Sequence, residues 1–187
     1  MRFIKAIAAA AALFLTTSPA MAHDFGPPVG AHVPEALSAR DQNGAEKNFA
    51  SLVGENGLVL LMTRSADWCP YCQRQLIGLE GVRAEIEARG WKLAAVTTDT
   101  VEELDRFVKV RGIGYPILSD DGSVIVDAFE LRDPNYEEGS YAYGVPVPTL
   151  FFFTPDGVIR ERLGERDYRV RPAPEQALAA IDRINAQ

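Results

Sequence analysis

Residues 58–72 read LVLLMTRSADWCPYC and contain both cysteines of the 187-residue chain. Leu58–Thr63 is an almost continuous apolar run, which is typical of a strand buried on both faces of a sheet. From Pro70 onward the apolar residues recur at helical spacing until Gly90, so this stretch predicts a helix. The motif Cys69–Cys72 therefore falls at a strand-to-helix junction.

The rest of the chain continues this alternation of strands and helices. A βαβ order indicates parallel neighbours, and a late hairpin adds an antiparallel pair. We therefore predict one α/β domain over residues 23–187, with a central mixed β-sheet flanked by helices on both faces. The other predicted elements are a turn at Asn43-Gly44, a strand over Trp91–Thr97, a helix capped by Thr100 and Glu103, a short helix over Val124–Leu131, hairpin strands over Leu150–Thr154 and Val158–Leu163, and a helix over Ala173–Ala186.

Composition narrows the class of protein. Hydrophobic residues make up 47% of the chain and charged residues 24%, which is ordinary for a soluble globular domain. The net charge of −7 argues against nucleic acid as a partner, because an acidic chain does not attract phosphate backbones. Two cysteines are too few for a disulfide-rich scaffold or a four-cysteine zinc site.

Residues 1–22 have the three parts of a secretory signal peptide. Arg2 and Lys5 supply the positive start, Ala6–Leu15 the apolar run, and a small-x-small motif precedes the Ala22-His23 bond. The apolar run is shorter than the roughly 20 residues of a membrane-spanning helix, although an uncleaved anchor remains the alternative. We predict cleavage near Ala22-His23 and export, to the periplasm in a bacterium with an outer membrane, without stable membrane insertion.

The cysteine pair predicts redox chemistry. A thiol at a helix N-terminus faces unpaired N–H groups and the positive end of the helix dipole, which favour its thiolate. We predict that Cys69 is an exposed attacking nucleophile and that Cys72 resolves the mixed disulfide, with no cofactor beyond the Cys69–Cys72 couple. The alternatives are a structural disulfide and half of a metal site. A metal site is disfavoured because the only histidines are His23 and His32, and we predict no metal ligands.

Several neighbours of the cysteines are candidate substrate-binding residues. Trp68, Pro70 and Tyr71 adjoin the motif, and Val147-Pro148 precedes the predicted strand from Leu150. The spacing alone leaves a trans proline at a strand start and a cis Val147–Pro148 bond both open. The leading interpretation takes the cis form, which would expose the Val147 backbone to an extended substrate.

These motifs carry a family resemblance. The order of strand, Trp68–Cys72, helix, Val147–Thr149 and hairpin resembles the thioredoxin superfamily. The segments Arg64–Cys72, Leu118–Asp120 and Phe151–Gly157 more narrowly resemble the redoxin family, which includes peroxiredoxins of the alkyl hydroperoxide reductase/thiol-specific antioxidant type. The resemblance implies a thioredoxin-like fold over most of the chain that follows the signal peptide.

Two positions depart from the peroxiredoxin pattern. The family has a threonine three residues before its peroxidatic cysteine, where this chain has Ala66. It also has an arginine before the late strand, where this chain has Pro148. Both losses would remove groups that stabilise a thiolate and a peroxide oxygen. Arg74 is interpreted as a solvated charge, and Asp67 as a helix cap or a proton acceptor.

We therefore predict an exported thiol–disulfide oxidoreductase that uses the Cys69–Cys72 couple. One alternative is a peroxiredoxin-like peroxidase in which Cys69 reduces hydroperoxides. A second is a copper-binding metallochaperone, with His23 as a candidate ligand if cleavage makes it the N-terminus. The expected partners are protein or small-molecule thiols and disulfides, hydroperoxides in the peroxidase alternative, and a redox partner that recycles the dithiol.

Overall fold

The computed structural model describes residues 25–187. The predicted signal peptide over residues 1–22 and the predicted role of His23 lie outside this range and stay predictions. Within it, no helix is both long and apolar enough to cross a membrane. The elements in chain order are β1 (Ser38–Arg40), β2 (Glu46–Asn48), α1 (Phe49–Leu52), β3 (Gly57–Met62), α2 (Pro70–Ala88), β4 (Trp91–Thr97), α3 (Val101–Arg111), β5 (Ile117–Ser119), α4 (Val124–Ala128), β6 (Thr149–Phe153), β7 (Ile159–Gly164) and α5 (Pro174–Asn185).

Five strands form the central sheet in the order β5-β4-β3-β6-β7. β3 pairs in parallel with β4, and β4 in parallel with β5, whereas β6 runs antiparallel to both β3 and β7. The prediction of a mixed sheet is thus confirmed. The predicted turn at Asn43-Gly44 is confirmed as well, because it joins β1 and β2 into a separate two-stranded antiparallel sheet.

Alternate residues of the central strands enter two different apolar layers, as the two-residue period of a strand requires. Val59 and Leu61 of β3 face the layer that contains buried residues of α2, α3 and α5. Leu58 and Leu60 face the opposite layer, which contains buried residues of α1 and α4. The helices therefore cover both faces, and all six residues of β3 are buried. This explains why β3 reads as a continuous apolar run in the sequence.

Strand register brings four connections to one edge of the sheet. Met62 at the end of β3 pairs with Thr149 at the start of β6, and Thr149 pairs with Gly164 at the end of β7. The parallel partner β4 also ends at this edge, because Met62 pairs with Val96. The segments that follow β3, β4 and β7 and the segment that precedes β6 therefore meet where α2 begins.

The sequence did not indicate β5, which contains only Ile117–Ser119. Three residues after the Gly112–Pro116 break are too few for a periodic signal. Tertiary contacts define the strand instead: Ile117 pairs with Ala95 of β4, and its N–H donates to Gln42 Oε1 at 2.9 Å.

The helix α4 is shorter than the predicted span Val124–Leu131 and ends at Ala128. Glu130 has a φ of 52°, which takes the chain out of the right-handed helical path. The carbonyl of Leu131 then accepts a hydrogen bond from the Val147 N–H at 2.7 Å. Leu131, the last residue of the predicted helix, therefore lies outside α4 and pairs with the segment that enters β6.

Candidate active site

The motif Cys69–Cys72 lies at the N-terminus of the 19-residue helix α2. Cys69 is the N-cap, and its Sγ accepts a hydrogen bond from the Cys72 N–H at 3.3 Å. The two cysteines form a disulfide, with their Cα atoms 5.3 Å apart. Pro70 occupies the first helical position, where its missing N–H breaks no helical hydrogen bond. The predicted strand-to-helix junction is confirmed.

The expectation that Cys69 is exposed is wrong for this disulfide-bonded state. Cys69 is only 2% exposed and Cys72 is fully buried. The cause is local: as N-cap and disulfide partner, Cys69 turns its sulfur inward over the first turn of α2. The flanking Trp68 and Pro70 are exposed instead, so they form the outer surface of the site.

A buried carboxylate holds the turn that precedes the motif. Asp99, just after β4, accepts hydrogen bonds from Ser65 Oγ at 2.5 Å and from the Ala66 N–H at 2.6 Å. Ser65 Oγ in turn accepts from the N–H groups of Asp67 and Trp68. Burial raises the pKa of Asp99, although these hydrogen bonds act against the shift. The loop after β3 is therefore anchored to the loop after β4.

An arginine that the sequence analysis did not assign contacts the disulfide directly. Arg171 lies between β7 and α5, and its Nη2 donates to Cys72 Sγ at 3.4 Å. Its Nη1 donates to Thr63 Oγ1 at 2.9 Å and to Gln75 Oε1 at 2.7 Å. Burial is the main reason that the pKa of Arg171 falls to about 10, so the guanidinium is charged at neutral pH. Arg171 therefore places a cation beside the cysteines, although Pro148 stands where the family has an arginine.

A second arginine is enclosed by aromatic rings. Arg64 is 2% exposed, and its guanidinium carbon lies 4.1 Å from the ring centre of Tyr168, 4.8 Å from that of Tyr136 and 5.1 Å from that of Trp68. Its Nη2 also donates to Tyr136 Oη at 2.8 Å. Such stacking stabilises a cation through the negative ring faces. Trp68 stacks edge-on with Tyr141 at a centroid distance of 5.3 Å.

The tyrosine-rich loop before β6 thus reaches the site. It contributes Tyr136 and Tyr141, while Tyr168 comes from the segment after β7 and contacts the Tyr71 ring at 5.6 Å. Tyr71 is half-buried and also carries the Arg74 guanidinium over its face at 4.6 Å. The structure therefore brings the predicted residues Trp68 and Tyr71 together with three tyrosines that sequence reasoning did not assign. The sequence signal for Tyr136 and Tyr141 is the density of tyrosine in residues 133–144, whereas Tyr168 is the single tyrosine of its segment.

The predicted cis Val147–Pro148 bond is wrong, because residues 25–187 contain no cis peptide bond. The Val147 backbone is also occupied within the chain. Its N–H donates to the Leu131 carbonyl at 2.7 Å, and its carbonyl accepts from Thr149 Oγ1 at 3.1 Å. The segment at Leu131 thus takes the place that an extended substrate strand was expected to take. Both Val147 and Pro148 are buried, and substrate binding by their side chains stays a prediction.

The described residues contain no group of three or more His, Cys, Asp or Glu side chains placed to hold a metal ion. Asp67 forms a long ion pair with Arg106 at 3.8 Å. The interpretation of Asp67 as a helix cap is wrong, because Cys69 is the N-cap of α2, whereas a role as proton acceptor stays a prediction. Arg74 is exposed, as predicted, but its guanidinium is held over Tyr71 rather than being free in solvent.

Comparison with known protein sequences identifies a family and several distant relatives. Residues 29–162 match the sequence model of the AhpC/TSA family. The chain is 25% identical over 112 residues to the 1-Cys peroxiredoxin PER1 of Hordeum vulgare, covering 56% of this chain and 50% of that protein. It is 22% identical over 134 residues to the thiol-disulfide oxidoreductase ResA of Oceanobacillus iheyensis, covering 71% of this chain and 63% of that protein. The chain thus spans between half and two thirds of these relatives.

Solved structures show the same fold. The peroxidoxin BcpB of Mycobacterium tuberculosis superposes with a TM-score of 0.67 at 20% identity, covering 87% of this chain and 99% of that one. A yeast mitochondrial 1-Cys peroxiredoxin superposes with a TM-score of 0.73 at 20% identity, covering 86% of this chain and 77% of that one. The predicted thioredoxin-like fold, and the resemblance to the redoxin family, are confirmed.

Asp99→Asn should destabilise the protein by about 1–3 kcal/mol at pH 7, because an amide cannot accept both hydrogen bonds and leaves a buried donor unpaired. Urea unfolding measures this difference. The raised pKa of Asp99 predicts a pH dependence as well. The part of its contribution that depends on protonation is present below about pH 4 and is lost as the pH rises through the folded-state pKa, which leaves the contribution of the two hydrogen bonds. The difference between wild type and variant should therefore narrow with rising pH, and a widening difference would contradict the assignment.

Arg171→Gln should make the reduction potential of the Cys69–Cys72 couple more negative. The guanidinium stabilises a thiolate in the reduced form, so its removal favours the disulfide. A loss of about 1–2 kcal/mol corresponds to roughly 20–40 mV. Equilibration with thiol redox buffers, followed by tryptophan fluorescence, measures the potential. Arg160→Gln at the opposite end of β7 is the control and should leave the potential unchanged. An unchanged or less negative potential for the Arg171 variant would contradict the prediction.

Proposed function

Because the chain belongs to the AhpC/TSA family, we propose that it is a thiol–disulfide oxidoreductase whose redox group is the Cys69–Cys72 disulfide. One observation carries the proposal: the disulfide lies at a helix N-terminus with a guanidinium in contact with its inner sulfur. A disulfide that only stabilised the fold would have no need of either feature. It would also close a very short loop, which yields little chain-entropy stabilisation.

The proposed reaction is thiol–disulfide exchange. In the reduced protein the Cys69 thiolate attacks a substrate disulfide, forming a Cys69–substrate disulfide and releasing the other half as a thiolate. The Cys72 thiolate then attacks the Cys69 sulfur, which restores the Cys69–Cys72 disulfide and releases the second substrate thiolate. Two electrons pass from protein to substrate, and the released thiolates take protons from solvent. The reverse sequence would oxidise a substrate dithiol.

The surroundings suit these two steps. The N–H groups and dipole at the start of α2 stabilise negative charge on Cys69. Arg171 is placed to stabilise negative charge on Cys72, the leaving sulfur when a substrate thiolate attacks Cys69. A stabilised leaving thiolate departs faster. Trp68, Pro70 and Tyr71 line the outer rim, where we propose that they contact substrate.

We further propose that residues 1–22 are a signal peptide and that the enzyme works in an exported, oxidising compartment. There its disulfide would persist unless a redox partner reduced it. The partner would recycle the dithiol through the same two-step exchange.

Cys69→Ser should abolish exchange with a small disulfide, because no attacking sulfur remains at the helix N-terminus. Cys72→Ser should instead accumulate a mixed disulfide, because the resolving step is blocked. Mass spectrometry of each variant after incubation with the disulfide distinguishes the two results. The control is Ser38→Ala on the exposed strand β1, which keeps both cysteines and the loop that Asp99 holds. Exchange at the wild-type rate by the Cys69 variant would refute the proposed role of this residue.

A second candidate function is peroxide reduction, and the Arg171 contact with Cys72 is the observation that favours it. In that reaction the Cys69 thiolate would take an oxygen from hydrogen peroxide and release water or hydroxide. The resulting sulfenic acid would condense with the other cysteine, forming the disulfide and releasing water. Ala66 offers no hydroxyl at the position where the family has a threonine.

We expect the reduced protein to react faster with a disulfide than with hydrogen peroxide at equal concentration. Stopped-flow tryptophan fluorescence can follow both reactions, with free cysteine as the reference thiol. A peroxide rate close to that of free cysteine would reject the peroxidase candidate. A peroxide rate well above the disulfide rate would make peroxide reduction the primary function.

A further inference from the structure

Positive charge is concentrated around the disulfide of this acidic chain. Arg64, Arg74 and Arg171 all lie beside the motif, and none of them has a carboxylate partner within residues 25–187. Several arginines elsewhere are paired with carboxylates: Arg89 with Asp182 at 2.7 Å is one example. The chain as a whole carries a net charge of −7. Beside the disulfide, these three arginines therefore carry positive charge that no direct ion pair neutralises.

Two of these cations, Arg74 and Arg171, border a groove. A cavity of about 290 Å³ lies between the first turns of α2 and the segment that leads into α5. Tyr71, Arg74, Arg169 and Arg171 contribute to its walls, and Arg171 joins it to the disulfide through Cys72 Sγ. Its volume is at the lower end of the range for small-molecule sites, about 300–1,000 Å³. The groove is too small for a folded domain but large enough for part of a small ligand.

The charges in the groove do not cancel. Arg169 is neutralised by Asp167, with an Nη2–Oδ2 distance of 2.8 Å. Arg74 contacts only the Tyr71 ring among the interactions found in the described residues, and Arg171 donates only to uncharged acceptors and to sulfur. Like charges held close together are unfavourable unless an anion joins them. An anion in the groove would relieve this repulsion and could form charge-assisted hydrogen bonds.

We infer that this groove, defined by Tyr71, Arg74 and Arg171, binds the carboxylate of a small anionic thiol or disulfide and makes exchange at the Cys69–Cys72 couple selective for negatively charged substrates. The inference rests on the proposed function and adds its substrate class. Bound in this way, the carboxylate end of the substrate lies in the groove while its sulfur reaches the disulfide beside it. Arg74 is a specificity residue in this arrangement, since it touches substrate but neither cysteine.

Three small disulfides test the selectivity: oxidised glutathione as the anionic probe, bis(2-hydroxyethyl) disulfide as the neutral probe and cystamine as the cationic probe. Each rate of oxidation of the reduced protein is divided by the rate for dithiothreitol with the same disulfide, which removes intrinsic reactivity. We expect the normalised rate for oxidised glutathione to exceed that for cystamine by about tenfold or more at low salt. The ratio should fall as salt screens the charges.

Arg74→Gln should lower the normalised rate with oxidised glutathione about five- to tenfold and leave the neutral rate within about twofold, as expected for the loss of one charge-assisted contact. Arg74→Lys should retain most of the charge preference, and the control Arg160→Gln all of it. Equal normalised rates for the three probes, or an equal loss for all three in Arg74→Gln, would overturn the inference while leaving the proposed function intact. Failure of the wild type to exchange with any probe would refute both.

Discussion

The hydrogen bonds from Ser65 and Ala66 to the buried Asp99 carboxylate hold the site together. β3 and β4 are parallel neighbours, so the loops that follow them leave the sheet at the same edge. Asp99 joins these two loops, and the first of them leads directly to Cys69. The orientation of the helix N-terminus, and with it the disulfide, therefore depends on one carboxylate that does not touch either sulfur. A buried carboxyl in this place is tolerated because each oxygen accepts a hydrogen bond.

The site combines two kinds of group that interact favourably. Guanidinium groups supply positive charge, and aromatic rings supply stacking surfaces for them. The buried Arg64 guanidinium packs against aromatic rings and forms no ion pair with a carboxylate within residues 25–187. A carboxylate partner would cancel the field that thiolates experience. Aromatic rings leave the positive field of the guanidinium in place, and their contact with the cation offsets part of the free-energy cost of removing it from water.

Much of the scaffold could be predicted from the sequence because its signals are local. The strand β4 was predicted with its observed bounds, and the capping box of Thr100 and Glu103 was confirmed at the start of α3. The position of the Cys69–Cys72 motif at the start of α2 was likewise predicted, because an apolar run precedes the cysteines and a helical pattern follows them. These features depend on residues within one or two turns of each other.

The groups around the disulfide could not be predicted in this way. Arg171 reaches Cys72 across a sequence separation of 99 residues, and Arg64 meets Tyr136 across 72. Such contacts follow from strand register, which brings the ends of β3 and β7 to one edge. The trans bond at Val147 was also missed for a nonlocal reason. Its backbone partner is the chain just after α4, and nothing near Pro148 indicates that pairing.

The backbone pairing at Val147 also determines which parts of the tyrosine-rich loop can change without disturbing the sheet. Two backbone hydrogen bonds, Val147 N–H to the Leu131 carbonyl and Asp133 N–H to the Val145 carbonyl, close the base of the tyrosine-rich loop. Changes in length or composition at the tip, where Tyr136 and Tyr141 lie, are thereby insulated from β6 and from the sheet. Exchange of the loop tip would therefore alter the rings around Arg64 and Trp68 while the paired strands of the sheet keep their register.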